Sequence, residues 1–300
     1  MKKIIFITGA AGMVGSNLIR QYINKKNIII SIDNLVLGKE IFLKLYKKKK
    51  NFFFYKKDLS KKIISNEIPK ILKKNILSEV WLLAANSDIQ KGTNDYRVDL
   101  KNTFLSTIYT MEFLKKYINK NTKIMFTSSS AIYGNIKKEI DENTTKMSPI
   151  SNYGSMKLAS EGYLSSFSNA NKANVLIFRF PNVIGDNLTH GLLFDMKNKI
   201  QSKKKYIQVL GNGEQQKPYS HVKEIIKCML FLKNKKLDSK LNYFNIGTND
   251  NGIKVKNIVK EIVKKFNSKK KIIYEKNNTG WVGDVPKYKY CTKKIKKLGF

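Results

Sequence analysis

Tyr153 and Lys157 stand four residues apart in Ser151–Phe167, a stretch with helical spacing, so their side chains share one face. An ammonium beside a phenol favours the phenolate and lowers its pKa from about 10. A tyrosine tuned in this way removes a proton from an alcohol near neutral pH. Ser128-Ser129-Ser130 closes the apolar run Lys123–Thr127, and a serine hydroxyl there joins the same hydrogen-bond network. A Tyr-x-x-x-Lys pair also arises by chance on a helix surface, so the pair needs a partner to act on.

The partner is written into Thr8-Gly9-Ala10-Ala11-Gly12-Met13-Val14-Gly15. Gly9, Gly12 and Gly15 are spaced Gly-x-x-Gly-x-x-Gly at a turn between an apolar run, Ile4–Thr8, and a helical pattern, Val14–Asn24. Glycines at such a turn let backbone N–H groups approach a pyrophosphate at a helix N-terminus. Met13 and Val14 belong to that contact. Asp33 ends the run Ile28–Ile32, 18 residues after Gly15. A carboxylate there accepts both ribose hydroxyls and repels a 2′-phosphate, which selects NAD over NADP, with Asn34 beside it. The competing reading is an Asp-Asn turn. Asp58-Leu59 follows Phe52–Lys56 and is placed to reach the adenine edge, although Asp often begins a loop.

Short apolar runs alternate with helical patterns for about 180 residues: Ile4–Thr8, Ile28–Ile32, Phe52–Lys56, Val80–Leu83, Lys123–Thr127 and Val175–Phe180, with helices at Val14–Asn24, Thr103–Tyr117 and Ser151–Phe167. Continuous apolar strands alternating with helices predict an α/β fold, a Rossmann-type doubly wound parallel sheet. After Asn182 the rhythm breaks into loops rich in Gly, Asn and Pro. Further elements are predicted at Val222–Phe231, Tyr243–Ile246, Val255–Phe266 and Ile272–Tyr274. The expected organisation is a cofactor domain over 1–181, completed by 220–248, and a smaller C-terminal lobe from 182–219 and 249–300.

The formal net charge is +36, from 58 basic and 22 acidic residues. Only Arg20, Arg97 and Arg179 are arginine; the lysines are spread over the whole chain without an aromatic-interleaved pattern. This reads as a solvated surface and not as a specific nucleic-acid footprint. No apolar run approaches the roughly 18–20 residues of a membrane span. Cys228 and Cys291 make neither a disulfide framework nor a metal spacing, which fits a cytoplasmic protein, and no metal site is expected. Of the two histidines, His221 reads as structural. His190, in the loop after Asn182, is placed to line a binding pocket.

Together Thr8–Gly15, Asp33, Ala84-Ala85, Ser129, Tyr153 and Lys157 resemble the extended short-chain dehydrogenase/reductase superfamily, in its NAD-dependent epimerase/dehydratase branch. Ser128–Gly134, Arg179–Gly185 and the closing Gly283-Asp284-Val285 extend the resemblance, which runs from Lys3 to Phe300. It implies Tyr153 as the acid/base, Lys157 as its electrostatic partner and a ribose ligand, and Ser129 as the catalytic hydroxyl. It places Ala84, Ala85 and Pro181 beside the cofactor. Asn182 matches a residue that contacts a substrate diphosphate. A nucleotide-sugar substrate would then meet Ser87, Ser129, Ser130, Asn182, His190, Lys217 and Trp281. A second acid/base at His190 would allow inversion beside a keto group at carbon 3 or 5.

The family's 4,6-dehydratases place Asp-Glu after the catalytic hydroxyl, and its decarboxylases a Glu at the second position. Ser130-Ala131 supplies neither, and the arrangement resembles the 4-epimerases, which oxidise the sugar transiently and return the hydride. The resemblance also implies a homodimer through 103–117 and 151–167, using Phe104, Ile108, Met111, Leu114, Leu158, Tyr163 and Phe167. Three positions depart from the family: Lys217 and Trp281 replace arginines, and Asp99 replaces an asparagine. Lysine cannot make arginine's bidentate phosphate fork. The alternatives are a reductase or dehydratase on the same substrates, or a non-catalytic NAD-binding protein.

Overall fold

The structure, a computed structural model, describes residues 1–62, 66–136 and 139–300. Seven parallel strands form its centre: β1 (Lys3–Thr8), β2 (Ile28–Asp33), β3 (Phe52–Lys56), β4 (Ile76–Leu82), β5 (Lys123–Ser129), β6 (Asn174–Phe180) and β7 (Leu241–Asn245). Their order across the sheet is β7-β6-β5-β4-β1-β2-β3. The inner strands, rich in Ile, Val and Leu, suit this because they are buried on both faces, whereas the edge strands β3 and β7 are only partly covered. On β1, Ile5 and Ile7 pack with the helices Met13–Ile19 and Val222–Asn234. Ile4 and Phe6 face the other way, onto Glu67–Lys74, Ser106–Leu114 and Asn152–Asn171. Each such side chain contributes roughly 1.5–3 kcal/mol on burial.

Two elements differ from expectation. β4 begins at Ile76, four residues before the predicted Val80, because Glu79 interrupts the apolar run. Its carboxylate is nonetheless buried and satisfied by Tyr22, Trp81 and Lys233. The predicted helix Thr103–Tyr117 is not uniform. A π-helical turn occupies Leu100–Leu105, an α-helix Ser106–Leu114, and a 3-10 turn Lys115–Tyr117. The hydroxyls of Ser106, Thr107 and Thr110 donate to carbonyls four residues back, at 2.7, 3.0 and 2.7 Å. Such back-bonding competes with the helical ladder and bends it.

Beyond β6 the chain builds a second, smaller core from Met196, Ile207, Val209, Val255 and Val259. It joins the helices Leu192–Gln201 and Val255–Lys265 to the paired strands Tyr206–Val209 and Lys271–Tyr274. Between these segments, Val222–Asn234 and β7 return to the main sheet. Of the apolar residues expected at a subunit contact, Met111, Leu114 and Phe167 are spent in the chain's own core; Phe104, Ile108, Leu158 and Tyr163 stay half-buried. Among the described residues no helix is long and apolar enough to cross a membrane.

Candidate active site

A cavity of about 830 Å³ opens where β1, β4, β5 and β6 end, and the smaller core supplies its far wall. The sheet order reverses between β1 and β4, the place where open α/β sheets leave a crevice. Thr8 ties the two strand ends together: its hydroxyl accepts from Leu83 N at 3.0 Å and Ala84 N at 3.2 Å.

The three glycines of the first turn are not equivalent. Gly9 has φ +64, and a Cβ there would meet Ala84 N at 2.8 Å. A Cβ on Gly15 would meet Gly9 O at 2.3 Å. Internal packing explains both. On Gly12 a Cβ would touch only Gly9 O, at 3.3 Å, and Gly12 lines the cavity with Gly9, Met13, Val14 and Gly15. The packing therefore constrains position 12 less than positions 9 and 15, and a glycine there leaves the cavity side of the turn open. Asp33 lies at the end of β2 with Oδ2 accepting from Ala11 N at 2.9 Å and Oδ1 from Leu35 N at 2.8 Å. Burial pushes its pKa up, and the two N–H donors pull it back. Each oxygen keeps a second lone pair for a ribose hydroxyl. Asn34, Asp58, Leu59, Ala84, Ala85 and Pro181 line the same cavity. Asp58 also caps its own turn, accepting from Ser60 N at 2.9 Å. A dinucleotide with an unphosphorylated 2′-hydroxyl fits this set.

Ser129 ends β5, and its hydroxyl accepts from Ala131 N at 3.1 Å while pairing with the Tyr153 hydroxyl. Ser151 caps the helix Asn152–Asn171, accepting from Gly154 N at 3.1 Å, and so fixes the turn that carries Tyr153. Lys157 is only 1 % exposed. Its Nζ donates to Thr127 O, 4.6 Å from the Phe126 ring centroid and 5.8 Å from that of Tyr153.

These contacts correct the expected electrostatics. The Tyr153 phenol is pushed well above its ordinary value: burial dominates, the Ser129 hydrogen bond opposes it, and the charge of Asp99 adds to the rise. Burial also lowers Lys157, to about 7, against the charges of Glu161 and Asp99. The ammonium is held by a carbonyl and not by the phenol, so without a cofactor it does not produce a phenolate.

Other expected residues sort cleanly. Ser87, Asn182, His190, Lys217 and Trp281 line the cavity. Ser130 does not; its hydroxyl donates to Tyr288 at 3.2 Å, because the 3-10 turn Ser130–Tyr133 carries it away. Lys217 is not a free cation: it pairs with Asp284 and lies 5.0 Å from the Trp281 ring centroid. The Trp281 indole N–H is buried without a hydrogen-bond partner among the described residues. Asn182 Nδ2 donates to Pro218 O at 3.4 Å. His221 accepts from Lys223 N at 3.2 Å and caps Val222–Asn234, a structural role. Among the described residues no group of three or more metal-ligating side chains occurs.

Sequence reasoning overlooked Asp88, Ser128 and Asp195 as cavity residues. The polar run Asn86-Ser87-Asp88, directly after β4, was the available signal for Asp88. Ser128 Oγ is buried without a hydrogen-bond partner among the described residues. Asp99, noted only as a departure, is fully buried behind the site. Its Oδ1 accepts from Asn86 Nδ2 at 2.7 Å and its Oδ2 has no hydrogen-bond partner among the described residues.

A family model described as the NAD dependent epimerase/dehydratase family matches residues 5–247. A putative UDP-glucose 4-epimerase of Methanocaldococcus jannaschii is 26% identical over 251 residues, which span 82% of this chain and 77% of that protein. An uncharacterized UDP-glucose epimerase of Bacillus subtilis is 25% identical over 230 residues, 74% of this chain and 70% of the other. The crystal structure of UDP-glucose 4-epimerase with UDP-glucose from Thermotoga maritima superposes with a TM-score of 0.83 at 25% identity, covering 98% of this chain and 91% of that one. UDP-glucuronic acid 4-epimerase from Bacillus cereus, in complex with UDP-glucuronic acid and NAD, reaches 0.86 at 20% identity over 99% and 92%, a likeness of fold.

Proposed function

The chain belongs to the NAD dependent epimerase/dehydratase family, and from that premise we propose that it inverts carbon 4 of a nucleotide-activated sugar, with NAD as its cofactor. One observation carries the reading. Ser129, Tyr153 and Lys157 meet the glycine turn in one cavity, and the positions after Ser129 supply no carboxylate. The dehydratases that this chain resembles carry such an acid directly after the hydroxyl; an oxidation and re-reduction at one carbon needs none there.

NAD, when bound, supplies a reversible hydride acceptor and a positively charged ring. The chain's own residues do the rest. Asp33 accepts the adenosine ribose hydroxyls, and Gly12 leaves room for the diphosphate. Ser129 holds the sugar O4 hydroxyl against Tyr153. Tyr153 takes the O4 proton and later returns it. The phenolate this requires is unfavourable in the empty cavity; a protonated Lys157, and the positive charge that NAD would bring, would favour it. Lys157 also donates to the second ribose. Asn182 and the indole N–H of Trp281 serve the diphosphate end, where Lys217 is already paired. The half-buried Phe104, Ile108, Leu158 and Tyr163 form a two-fold contact in a homodimer, which sedimentation at micromolar concentration checks.

The deciding experiment incubates the NAD-loaded protein with UDP-glucose, UDP-N-acetylglucosamine and UDP-glucuronic acid in turn and follows carbon 4 by NMR. Inversion without consumption of a reductant is expected. Stoichiometric consumption of reduced nicotinamide, or a 4-keto-6-deoxy product, makes it a reductase or a dehydratase instead. Asp33→Ala relaxes the preference for NAD over NADP by about tenfold, an effect of about 1.4 kcal/mol; equal binding of both cofactors by the native protein removes Asp33 from this role.

A further inference from the structure

The far wall of the cavity carries two polar atoms with nothing to bond and one cation that is already engaged. Gln215 lines the cavity and is 3 % exposed. Its Nε2 donates to Leu210 O at 3.3 Å, which fixes the orientation of the amide. Its Oε1 has no hydrogen-bond partner among the described residues. Gly211, at φ +73, makes room for that amide, since a Cβ there would collide with Nε2. Gly280 joins Gln215 to the second atom. A Cβ on Gly280 would lie 3.6 Å from Leu210 Cβ and 3.8 Å from Gln215 Nε2, and the next residue is Trp281. Its buried indole N–H is likewise unbonded among the described residues. One wall therefore offers an acceptor, a donor and an aromatic face.

Lys217 stands beside them, 5.0 Å from the Trp281 ring centroid, but its charge is answered. Asp284 Oδ1 holds the ammonium, and Oδ2 accepts from Gly280 N at 2.9 Å. Asp284 N donates to Trp281 O at 3.1 Å, so the ion pair and the indole share one turn. The two charged side chains are only 12 % and 2 % exposed. Drawing Lys217 toward a phosphate would leave a buried carboxylate unpaired, which is strongly unfavourable. The four side chains together present no net charge.

We propose that this wall selects the nucleotide half of the substrate by neutral hydrogen bonds: Gln215 Oε1 accepts the N3–H of a uracil, Trp281 Nε1–H donates to a diphosphate oxygen, and the Lys217–Asp284 pair is a brace that binds neither. The proposal rests on the nucleotide-sugar reading above. Uracil has one N–H once its N1 carries the ribose, and a lone acceptor with its own nitrogen occupied suits it. Cytosine places an acceptor at the same ring position and meets Oε1 lone pair to lone pair.

Calorimetric titration of the NAD-loaded protein with UDP, CDP and 3-methyluridine diphosphate tests this. UDP should bind about 3- to 10-fold more tightly than either of the others, the range of one neutral hydrogen bond. Gln215→Leu should erase the difference. Trp281→Phe keeps the ring and should weaken UDP by a similar factor while sparing uridine, which has no diphosphate. The double variant Lys217→Met/Asp284→Asn removes the pair as a unit and should leave UDP affinity within about threefold. Asp284→Asn alone releases the ammonium, so UDP should bind more tightly and with a steeper salt dependence than in the native protein. Equal binding of UDP, CDP and the methylated base, absence of UDP binding, or a difference that survives Gln215→Leu overturns the proposal. A loss of tenfold or more in the double variant overturns it too, by making Lys217 the phosphate ligand. The native comparison of the three nucleotides needs no variant to fold. Inversion of carbon 4 of UDP-glucose in the same preparation shows whether the parent reading stands when this one falls.

Discussion

Tyr153, Lys157 and Glu161 follow one another at four-residue intervals along the helix Asn152–Asn171, yet the two ends of that stripe live under opposite conditions. At Glu161 every polar atom is answered. Arg179 donates to both carboxylate oxygens, at 3.1 and 2.8 Å, and to the Tyr133 hydroxyl at 2.7 Å. Tyr133 in turn donates to Asn245 at 2.8 Å, and Tyr290 to Arg179 O at 2.7 Å. One turn earlier, Lys157 has a single carbonyl, Asp99 an orphaned oxygen, and Ser128 an orphaned hydroxyl. The charges of Lys157 and Glu161 are opposite and correctly spaced to pair, but each is drawn elsewhere. A buried polar group with all its partners holds a fold together; one left short is kept short by something other than stability.

The largest effect should come from the unsatisfied end and should leave stability untouched. Tyr153→Phe removes one oxygen and should cost ~10²–10⁴-fold in turnover, with NAD affinity and the melting point nearly unchanged. Lys157→Met should cost at least as much and also loosen NAD. Near-native turnover in Tyr153→Phe takes this residue out of the mechanism.

The satisfied end should answer in the reverse sense. Arg179→Met leaves Glu161 charged and unpaired, which should cost about 3–5 kcal/mol in urea unfolding. Adding Glu161→Leu should recover most of that loss. If the double variant is no more stable than the single, the pair is more than a scaffold.

Proton linkage sharpens the contrast. Lys157 titrates near 7 when folded and near 10.4 when unfolded, so between these values the unfolded chain holds the extra proton. Stability of the cofactor-free protein should therefore rise with pH from about 7 to 9.5, by up to about 1.4 kcal/mol per unit from this group. Above that window the raised tyrosines act oppositely. Lys157→Met should flatten the rise; an unaltered slope in that variant shows that the lysine is solvated.

Ser129→Ala should have the smallest effect, under about tenfold in turnover, because a water can replace one hydroxyl. A loss as large as that of Tyr153→Phe places Ser129 in the proton path itself.

Much of this was legible in the residues. Ile-rich runs and helical spacing located the sheet, since a parallel strand buried on both faces has little freedom of composition. Gly12, Asp33 and the Tyr153–Lys157 spacing pointed to one cavity from three separated segments. The π-helical turn at Leu100–Leu105 was hidden because its cause is hydroxyl back-bonding in the next segment, which no periodicity records. Ser130 was misplaced because a strand's last residues alternate faces only until the strand ends. The pKa of Tyr153 ran against expectation because burial, a property of the whole packing, outweighs a neighbouring charge. Asp88, Asp195 and His190 come to one cavity only through tertiary structure. Part of the family likeness proved to be scaffold: Tyr133 and Arg179 lie in the recognised motifs but serve the satisfied network.

The strand order also sets a timetable. β1 pairs with β2 on one side and with β4 on the other, so Ile4 must wait for Leu77 before the crevice between them exists. Non-local parallel pairing of this kind is slow, and domains assemble as the ribosome delivers them. The glycine turn, Asp33 and Ala84-Ala85 need only the chain up to Ala85, the helix with Tyr153 and Lys157 the chain up to Asn171, and the far wall with Trp281 and Asp284 nearly all of it. A nascent chain therefore builds its crevice in order, from the adenosine end to the reacting end, and last the wall that faces a substrate.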